Sequence, residues 1–253
     1  MESLMTKTAL VIDGDIFLWE CGLSVEEPIH WGDDLWTLHA DAYEARLKFD
    51  IALADLKEKT GAVTLAICFS GSKNWRKEVL PTYKFHRKKS RKPVVFHDLR
   101  DYARRTYRTY EFPQLEADDV CGMIMDGALW STKLERILVS TDKDLLQIPG
   151  LHYNHNKPEE GITEVSEEDG HYNHMFQALT GDLVDGYSGC PGVGPKTAAK
   201  LLDPDPIWDV VSAAYEKAGK TEEEALQQAR VAKILRKKDF DFNNNEVILW
   251  EPK

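Results

Sequence analysis

Three short apolar runs constrain this chain more than any other feature. ALVID (Ala9 to Asp13), VTLAICF (Val63 to Phe69) and RILVS (Arg136 to Ser140) each give way at once to polar loop residues. Each reads as a buried strand opening into a loop. Between the first two, HADAYEARLKFDIALADLKEK (about His39 to Lys59) places Tyr43, Leu47 and Ile51 at helical spacing and stops at Gly61. The pattern recurs with TYEF (Thr109 to Phe112), a helix from about Ala117 to Trp130, and then the RILVS strand. Alternating strands and helices predict an α/β fold with a largely parallel central sheet flanked by helices. In such sheets the loops at the carboxyl edge hold the site.

After about His171 the reading becomes helical, through MFQAL, PKTAAKLL, PIWDVVSAAYEKA and TEEEALQQARVAKILRKK. EVILW (Glu246 to Trp250) reads as a short strand or a packed tail. No repeat or linker interrupts the chain, so residues 1–253 are expected to form one domain with a helical subregion. Its 253 residues, 42% hydrophobic and 30% charged, suffice for a core without staples, which excludes a disordered or disulfide-built chain. Cys21, Cys68, Cys121 and Cys190 show no C-x-x-C pair or Cys/His ligand spacing, so neither a zinc ribbon nor a disulfide framework is expected. The first residues lack a signal-peptide pattern, and no apolar run approaches the roughly 18 residues of a membrane span. A cytoplasmic protein without a membrane partner is the expectation.

The net charge of −11 argues by itself against a polyanionic partner. The average conceals a basic block, KNWRKEVLPTYKFHRKKSRK (Lys73 to Lys92), followed by Arg100, Arg104, Arg105 and Arg108. Such a run is usually a solvated surface or a flexible tail. This one is internal and carries Trp75, Tyr83 and Phe85, and aromatics among cations suit a groove that neutralises phosphates and stacks bases.

The acids fall where strands end or helices begin. Asp13 and Asp15 follow the first strand, and Glu116, Asp118 and Asp119 open a helix. Asp142 and Asp144 follow a later strand, and Asp182 and Asp185 lie in LTGDLVDGYSG. Singly, each could cap a helix or complement its dipole. Together, so many anions at one sheet edge would raise each other's pKa values and destabilise the fold unless cations separate them. Oxygen ligands without His or Cys select Mg²⁺ or Mn²⁺. Two such ions would activate a water and stabilise the leaving oxygen of a phosphodiester. The other acidic runs, Glu159 with Glu160, Glu167 to Asp169 and Glu222 to Glu224, read as solvated surface.

GCPGVGPKTAAKLL (Gly189 to Leu202) is the remaining motif. Gly189, Gly192 and Gly194 permit a tight turn, Pro195 suits a first helical turn, and Lys196 adds a cation. This is plain turn chemistry or a phosphate site that reads backbone and not sequence. The spacing is not that of a P-loop.

These pieces, in this order, resemble the 5′→3′ exonuclease and flap endonuclease superfamily, and within it the 5′→3′ exonucleases of short-tailed lytic bacteriophages. The matching text is VIDGD (Val11 to Asp15), NWRKE (Asn74 to Glu78), YKFHRK (Tyr83 to Lys88), LEADDV (Leu115 to Val120), STDKD (Ser140 to Asp144), GDLVDGYSGCPGVG (Gly181 to Gly194) and ARVAKILR through EVILW. The resemblance implies a PIN-like sheet, a basic helical arch at about 73–108 and a helix–three-turn–helix at about 171–203. It puts Asp13, Glu116, Asp118 and Asp119 around a first Mg²⁺ ion, and Asp142, Asp144, Asp182 and Asp185 around a second, with Mn²⁺ able to substitute. Lys84 and Arg87 match arch cations that contact the scissile phosphate, and Tyr83 matches an aromatic that stacks on the terminal base. Arg76, Lys77, Lys88, Lys89 and Arg91 would guide the 5′ strand, while Gly192, Gly194 and Lys196 would hold duplex phosphates. The implied activity is metal-dependent hydrolysis from the 5′ end of duplex DNA, flap DNA or RNA–DNA hybrid, in phage replication and host DNA breakdown inside the infected cell.

One departure stands out. Many relatives carry an aspartate after the second strand, where this chain has Ser70, Gly71 and Ser72. Either the first metal site is weaker, or Asp15 contributes through a bound water. Two other classes compete. VIDGD, LVST and GDLVD resemble the haloacid dehalogenase phosphatases, although LEADD and the basic block are then unexplained. A nucleic-acid binder without its metal site is the other, against which the remaining acids weigh.

Overall fold

The computed structural model describes residues 7–86, 91–203 and 205–252. β1 (Thr8–Asp13) is buried at every position and forms the centre of the molecule. It pairs in parallel with β4 (Ala62–Phe69) on one side and β6 (Glu135–Val139) on the other. The six-stranded sheet runs β5-β4-β1-β6-β7-β8, where β5 is Thr109–Glu111, β7 Gly150–Tyr153 and β8 Ile162–Val165. All neighbours are parallel except β7 and β8. A parallel sheet needs both faces covered, which explains why these strands read as continuous apolar runs.

One face packs against α1 (Gly14–Leu23), α2 (Ala42–Thr60) and α4 (Phe96–Thr106), burying Leu10, Ile12, Phe49, Ile67 and Leu99. The other packs against α5 (Ala117–Met125) and the C-terminal segment, burying Val11, Cys68, Val120, Leu138 and Leu235. A separate core joins α6 (Glu167–Thr180), α7 (Pro195–Leu202), α8 (Trp208–Lys217) and α9 (Glu222–Ala232) around Met175, Leu179, Trp208 and Tyr215. β9 (Phe240–Asp241) and β10 (Glu246–Val247) form a small antiparallel pair, and Trp250 packs edge-on against Trp208 and His174. EVILW is thus both short strand and packed tail. Among the described residues no helix is long and apolar enough to cross a membrane. All four cysteines are free and buried.

Several sequence expectations change. Residues 26–40 form a hairpin, β2 (Glu26–Gly32) and β3 (Leu35–Ala40), outside the main sheet, with Trp31, Leu35 and Trp36 exposed. The helix expected from His39 therefore starts at Ala42, capped by Asp41, whose side chain accepts from Tyr43 N and Glu44 N. Its buried face is also different: Tyr43, Leu47 and Ile51 are exposed, whereas Ala45, Phe49, Leu53 and Leu56 are buried. Both series have helical spacing, and the larger Phe49 and the small Ala45 fit the sheet. α5 stops at Met125, with Gly127 in the left-handed region, before the expected end at Trp130. α9 stops at Ala232, so KILRKK does not continue it as expected; Lys233 to Arg236 lie outside any helix and Lys237–Asp239 form a 3-10 turn. Residues 233–236 instead run without regular structure, with Ile234 and Leu235 packed into the core on the α5 side.

The basic region 73–108 does not form one helical arch in the described residues. α3 (Arg76–Val79) is a single turn, and α4 belongs to the core through Phe96, Leu99 and Ala103. The face assignment on α2 sets up a direct comparison. Phe49→Ala should cost about 3–5 kcal/mol of stability, and Ile51→Ala no more than about 0.5 kcal/mol, as read from urea denaturation midpoints.

Candidate active site

The carboxyl ends of β1, β4 and β6 converge with the first turn of α5. Asp13 ends β1 and is buried. Its Oδ2 accepts from Ser140 Oγ at 3.1 Å, and Ser140 Oγ accepts from Asp142 N at 3.0 Å. Asp142 Oδ1 in turn accepts from Asp144 N at 2.9 Å. Asp15 Oδ2 accepts from Ser70 N at 3.2 Å, and Ser70 Oγ accepts from Ala117 N at 3.0 Å. One serine on each neighbouring strand end thereby ties an acid to the loop beside it.

Charge is crowded here. Burial, with Asp15 and Asp142 nearby, pushes the Asp13 carboxyl up to about 7. Burial, with Asp13 and Asp142, raises Asp118 well above the usual carboxylate range. Asp144 is pushed up to about 7 by burial and by Asp142, and Gln177 Nε2 donates to its Oδ1 at 2.5 Å. Asp182 Oδ1 accepts from Val184 N at 2.8 Å and Asp185 N at 3.2 Å, which builds the turn that delivers Asp185.

Beside this group the start of the basic region inserts its own cations. Arg76 is 2% exposed. Its Nε donates to Val231 O at 2.8 Å, Nη1 to Glu116 Oε2 at 3.1 Å and Asp119 Oδ2 at 2.7 Å, and Nη2 to Asp119 Oδ1 and Lys233 O, both at 2.7 Å. Lys84 Nζ contacts Glu116 Oε1 and lies 3.3 Å from Asp185 Oδ2. Burial of Glu116 opposes its charge, yet Lys84 and Arg76 hold its carboxyl at about 2. The Lys84 backbone is left-handed, at φ 51°, and its N–H donates to Asp185 O at 2.6 Å. Gly186, at φ 80°, lets that loop approach, because a Cβ there would lie 2.9 Å from Thr82 O.

Three sequence assignments are corrected by this geometry. Asp119 faces away from the acidic group and is fully buried. Its oxygens accept from Arg76, from Trp75 Nε1 at 3.1 Å and from Leu235 N at 3.1 Å, which leaves nothing for a metal ion. Arg76 is an internal strut and does not guide DNA. Tyr83 is buried and does not offer its ring to a base; its hydroxyl lies 2.9 Å from Glu116 Oε2 and 3.0 Å from Asp185 Oδ2. Sequence signals for this were present in the i,i+3 pair Glu116/Asp119, which forms a capping box with Asp119 Oδ2 accepting from Glu116 N at 3.3 Å.

Other residues lie as follows. Lys77 is exposed, and Arg91 is paired with Glu26 at 2.7 Å, pinning the base of the hairpin. Arg87, Lys88 and Lys89 lie outside the described residues. Gly192, Gly194 and Lys196 are exposed at the turn before α7, with open space beside both glycines. Of the acids read as bare surface, Glu167 pairs with Arg236 at 2.5 Å, and Glu224 closes a capping box with Thr221. At the departure site a Cβ on Gly71 would lie 2.0 Å from Phe112 O, so position 71 holds no side chain in this loop.

Among the described residues, no three His, Cys, Asp or Glu side chains are drawn into an assembled metal cluster. The donors nevertheless suit a hard divalent cation: they are carboxylates, several with raised pKa values, and Asp15 Oδ1 is buried with no hydrogen-bond partner among the described residues. The two kinds of acid should separate on substitution. Asp119→Ala, which strands a buried guanidinium, should lower stability by about 3–5 kcal/mol in urea titrations. Asp118→Ala, which relieves repulsion, should leave stability unchanged or raise it in the presence of EDTA.

The chain is similar to known proteins in both sequence and structure. Residues 10–171 match the family model described as 5′-3′ exonuclease, N-terminal resolvase-like domain. An exonuclease of Escherichia phage T7 is 30% identical, over 97% of this chain and 94% of that protein. An exodeoxyribonuclease of Enterobacteria phage T3 is 28% identical, over 98% and 94%. The bacteriophage T5 D15 flap endonuclease, solved as a pseudo-enzyme–product complex with DNA and metal ions, superposes with a TM-score of 0.67 at 15% identity, covering 90% of this chain and 89% of that one.

Proposed function

The chain belongs to the 5′-3′ exonuclease family and is a nuclease, and from that premise we propose that it hydrolyses phosphodiesters from the 5′ ends of duplex DNA with Mg²⁺. Mn²⁺ is the expected substitute, and RNA in RNA–DNA hybrids a further substrate. The observation that carries this reading is the crowding of Asp13, Asp118 and Asp144, which burial and neighbouring carboxylates disfavour as anions, together with Asp142 beside them. With Asp15, Glu116, Asp182 and Asp185 they are the residues that would hold two divalent cations. Such ions, when bound, supply an activated water and neutralise the leaving oxygen.

The chain's own residues orient the substrate. Lys84 is held at the mouth of the acidic group by its backbone bond to Asp185 O. Its ammonium, now shared by Glu116 and Asp185, is within reach of a phosphate bound over them. A fixed cation there stabilises the charge that builds up on the phosphoryl oxygens. Arg87 would act beside it. Lys77, Lys88 and Lys89 would screen the incoming strand, and Gly192, Gly194 and Lys196 would hold the duplex by its phosphates, which is sequence-blind and salt-sensitive. The phosphatase reading falls with the family match, and no separate observation favours a non-catalytic binder.

The test is a time course on linear duplex DNA labelled at the 5′ end, with Mg²⁺ or EDTA, beside a 5′-flap substrate and a closed circle. Mg²⁺-dependent release of labelled nucleotides with the circle intact is expected. Cleavage of the circle, or release in EDTA, overturns the reading, and release of the flap as one oligonucleotide assigns flap cleavage instead. Lys84→Ala should lower kcat about 100-fold or more and change KM by less than about threefold. The reverse pattern makes Lys84 a guide and not a transition-state residue.

A further inference from the structure

We infer that Arg76 is the positioning residue of the acidic site, and that it acts through the C-terminal strap Val231–Leu235. This rests on the nuclease reading above and deepens it. The guanidinium carries five N–H donors in a rigid plane. All are used: two on Asp119, one on Glu116, and one each on Val231 O and Lys233 O. None is left for a phosphate, and the side chain does not reach solvent. Arg76 therefore touches no substrate.

What it does is aim a carboxylate. Arg76 takes Glu116 Oε2, while Oε1 contacts Lys84. Asp119, wholly consumed by Arg76, Trp75 and the strap, fixes the first turn of α5, from which Glu116 and Asp118 project.

The strap supplies the other half of the grip. Its helix ends at Ala232 and the chain turns extended, freeing carbonyls that would otherwise close helical bonds. Gln147 Nε2 donates to Ala232 O at 2.7 Å, and Ile234 N donates to Gln147 Oε1 at 3.2 Å. Leu235 N reaches Asp119, and Leu235 O lies against Gly122 of α5. The ARVAKILR motif thus ties α9, and with it the helical region that carries Gly192, Gly194 and Lys196, to the residues that aim Glu116. No lysine reproduces a five-donor fork of this shape.

The experiment compares wild type, Arg76→Lys and Gly122→Ala. A Cβ at Gly122 would lie 2.2 Å from Leu235 O, so that substitution shifts the strap while leaving every acid and Arg76 in the sequence. Mg²⁺ binding without DNA is measured by titration calorimetry, kcat and KM on the labelled duplex, and folding by urea denaturation. Arg76→Lys is expected to weaken Mg²⁺ binding about 10–100-fold and to lower kcat per folded molecule by a similar factor, with KM within about threefold of wild type. Gly122→Ala is expected to change Mg²⁺ affinity in the same direction by a smaller factor. Mg²⁺ affinity and kcat unchanged in folded Arg76→Lys overturns the assignment and makes Arg76 a strut alone. Should Arg76→Lys not fold, wild-type Mg²⁺ affinity in folded Gly122→Ala overturns it. A wild-type chain that binds Mg²⁺ but cleaves nothing removes the nuclease reading, and the calorimetric comparison still decides the role of Arg76.

Discussion

A charge buried as deeply as that of Arg76 persists only where its partners repay desolvation worth several kcal/mol. The partners here come from distant stretches of sequence: α3 supplies the arginine, the first turn of α5 supplies Glu116 and Asp119, and the end of α9 supplies two carbonyls. The core on the α5 side of the sheet, the basic region and the helical subregion meet at this one plane, so the arrangement of the acidic edge is decided by a residue that never sees substrate.

The same account divides the acids. Asp119 is neutralised permanently by a cation that solvent does not reach. Glu116 is shared between that cation and Lys84, which holds its carboxyl at about 2. Lys84 differs from Arg76 in kind: its ammonium rests on two carboxylates at the rim and is attached to a loop that approaches through Gly186. Asp13, Asp118 and Asp144, which among the described residues form no ion pair with either cation, have carboxyls raised by burial and by neighbouring carboxylates. Stability and function ask for opposite charge states there, and the division of labour between arginine and lysine confines the conflict to the reacting edge.

Much of this was legible in the residues. ALVID, VTLAICF and RILVS are strands, they neighbour one another in a parallel sheet, and their acids gather at one edge. The hairpin at 26–40 was not, because its strands bury no residue fully, touch the core only through Ala40 among the described residues, and lack a buried, alternating pattern. The buried face of α2 was misjudged because two apolar series share one spacing and only packing against the sheet distinguishes them. Within NWRKE and LEADDV, the sequence shows charges but not which of them face inward. That Asp119 and Arg76 consume each other depends on the strap, more than a hundred residues away, and local spacing carries no trace of it.

The loop after β4 shows how an apparently missing ligand is built around. Gly71 N donates to Leu115 O at 2.8 Å and Lys73 N to Pro113 O at 2.7 Å, so the loop lies flat on the segment that leads into α5. That contact leaves no space for a side chain at 71. Ser70 is fully occupied, its hydroxyl on the first N–H of α5 and its own N–H on Asp15. A serine caps a helix start well, and a carboxylate at the same place would add one more anion beside Asp15. In this chain the residue after β4 is a serine that joins the strand end to the first turn of α5. The acid that remains at this spot comes from α1: Asp15 is steered by Ser70 N through one oxygen, and its other oxygen is buried with no hydrogen-bond partner among the described residues. An unsatisfied buried carboxylate oxygen costs stability, and a divalent cation with its water shell at this edge would remove that cost, as it would the repulsion among the neighbouring acids.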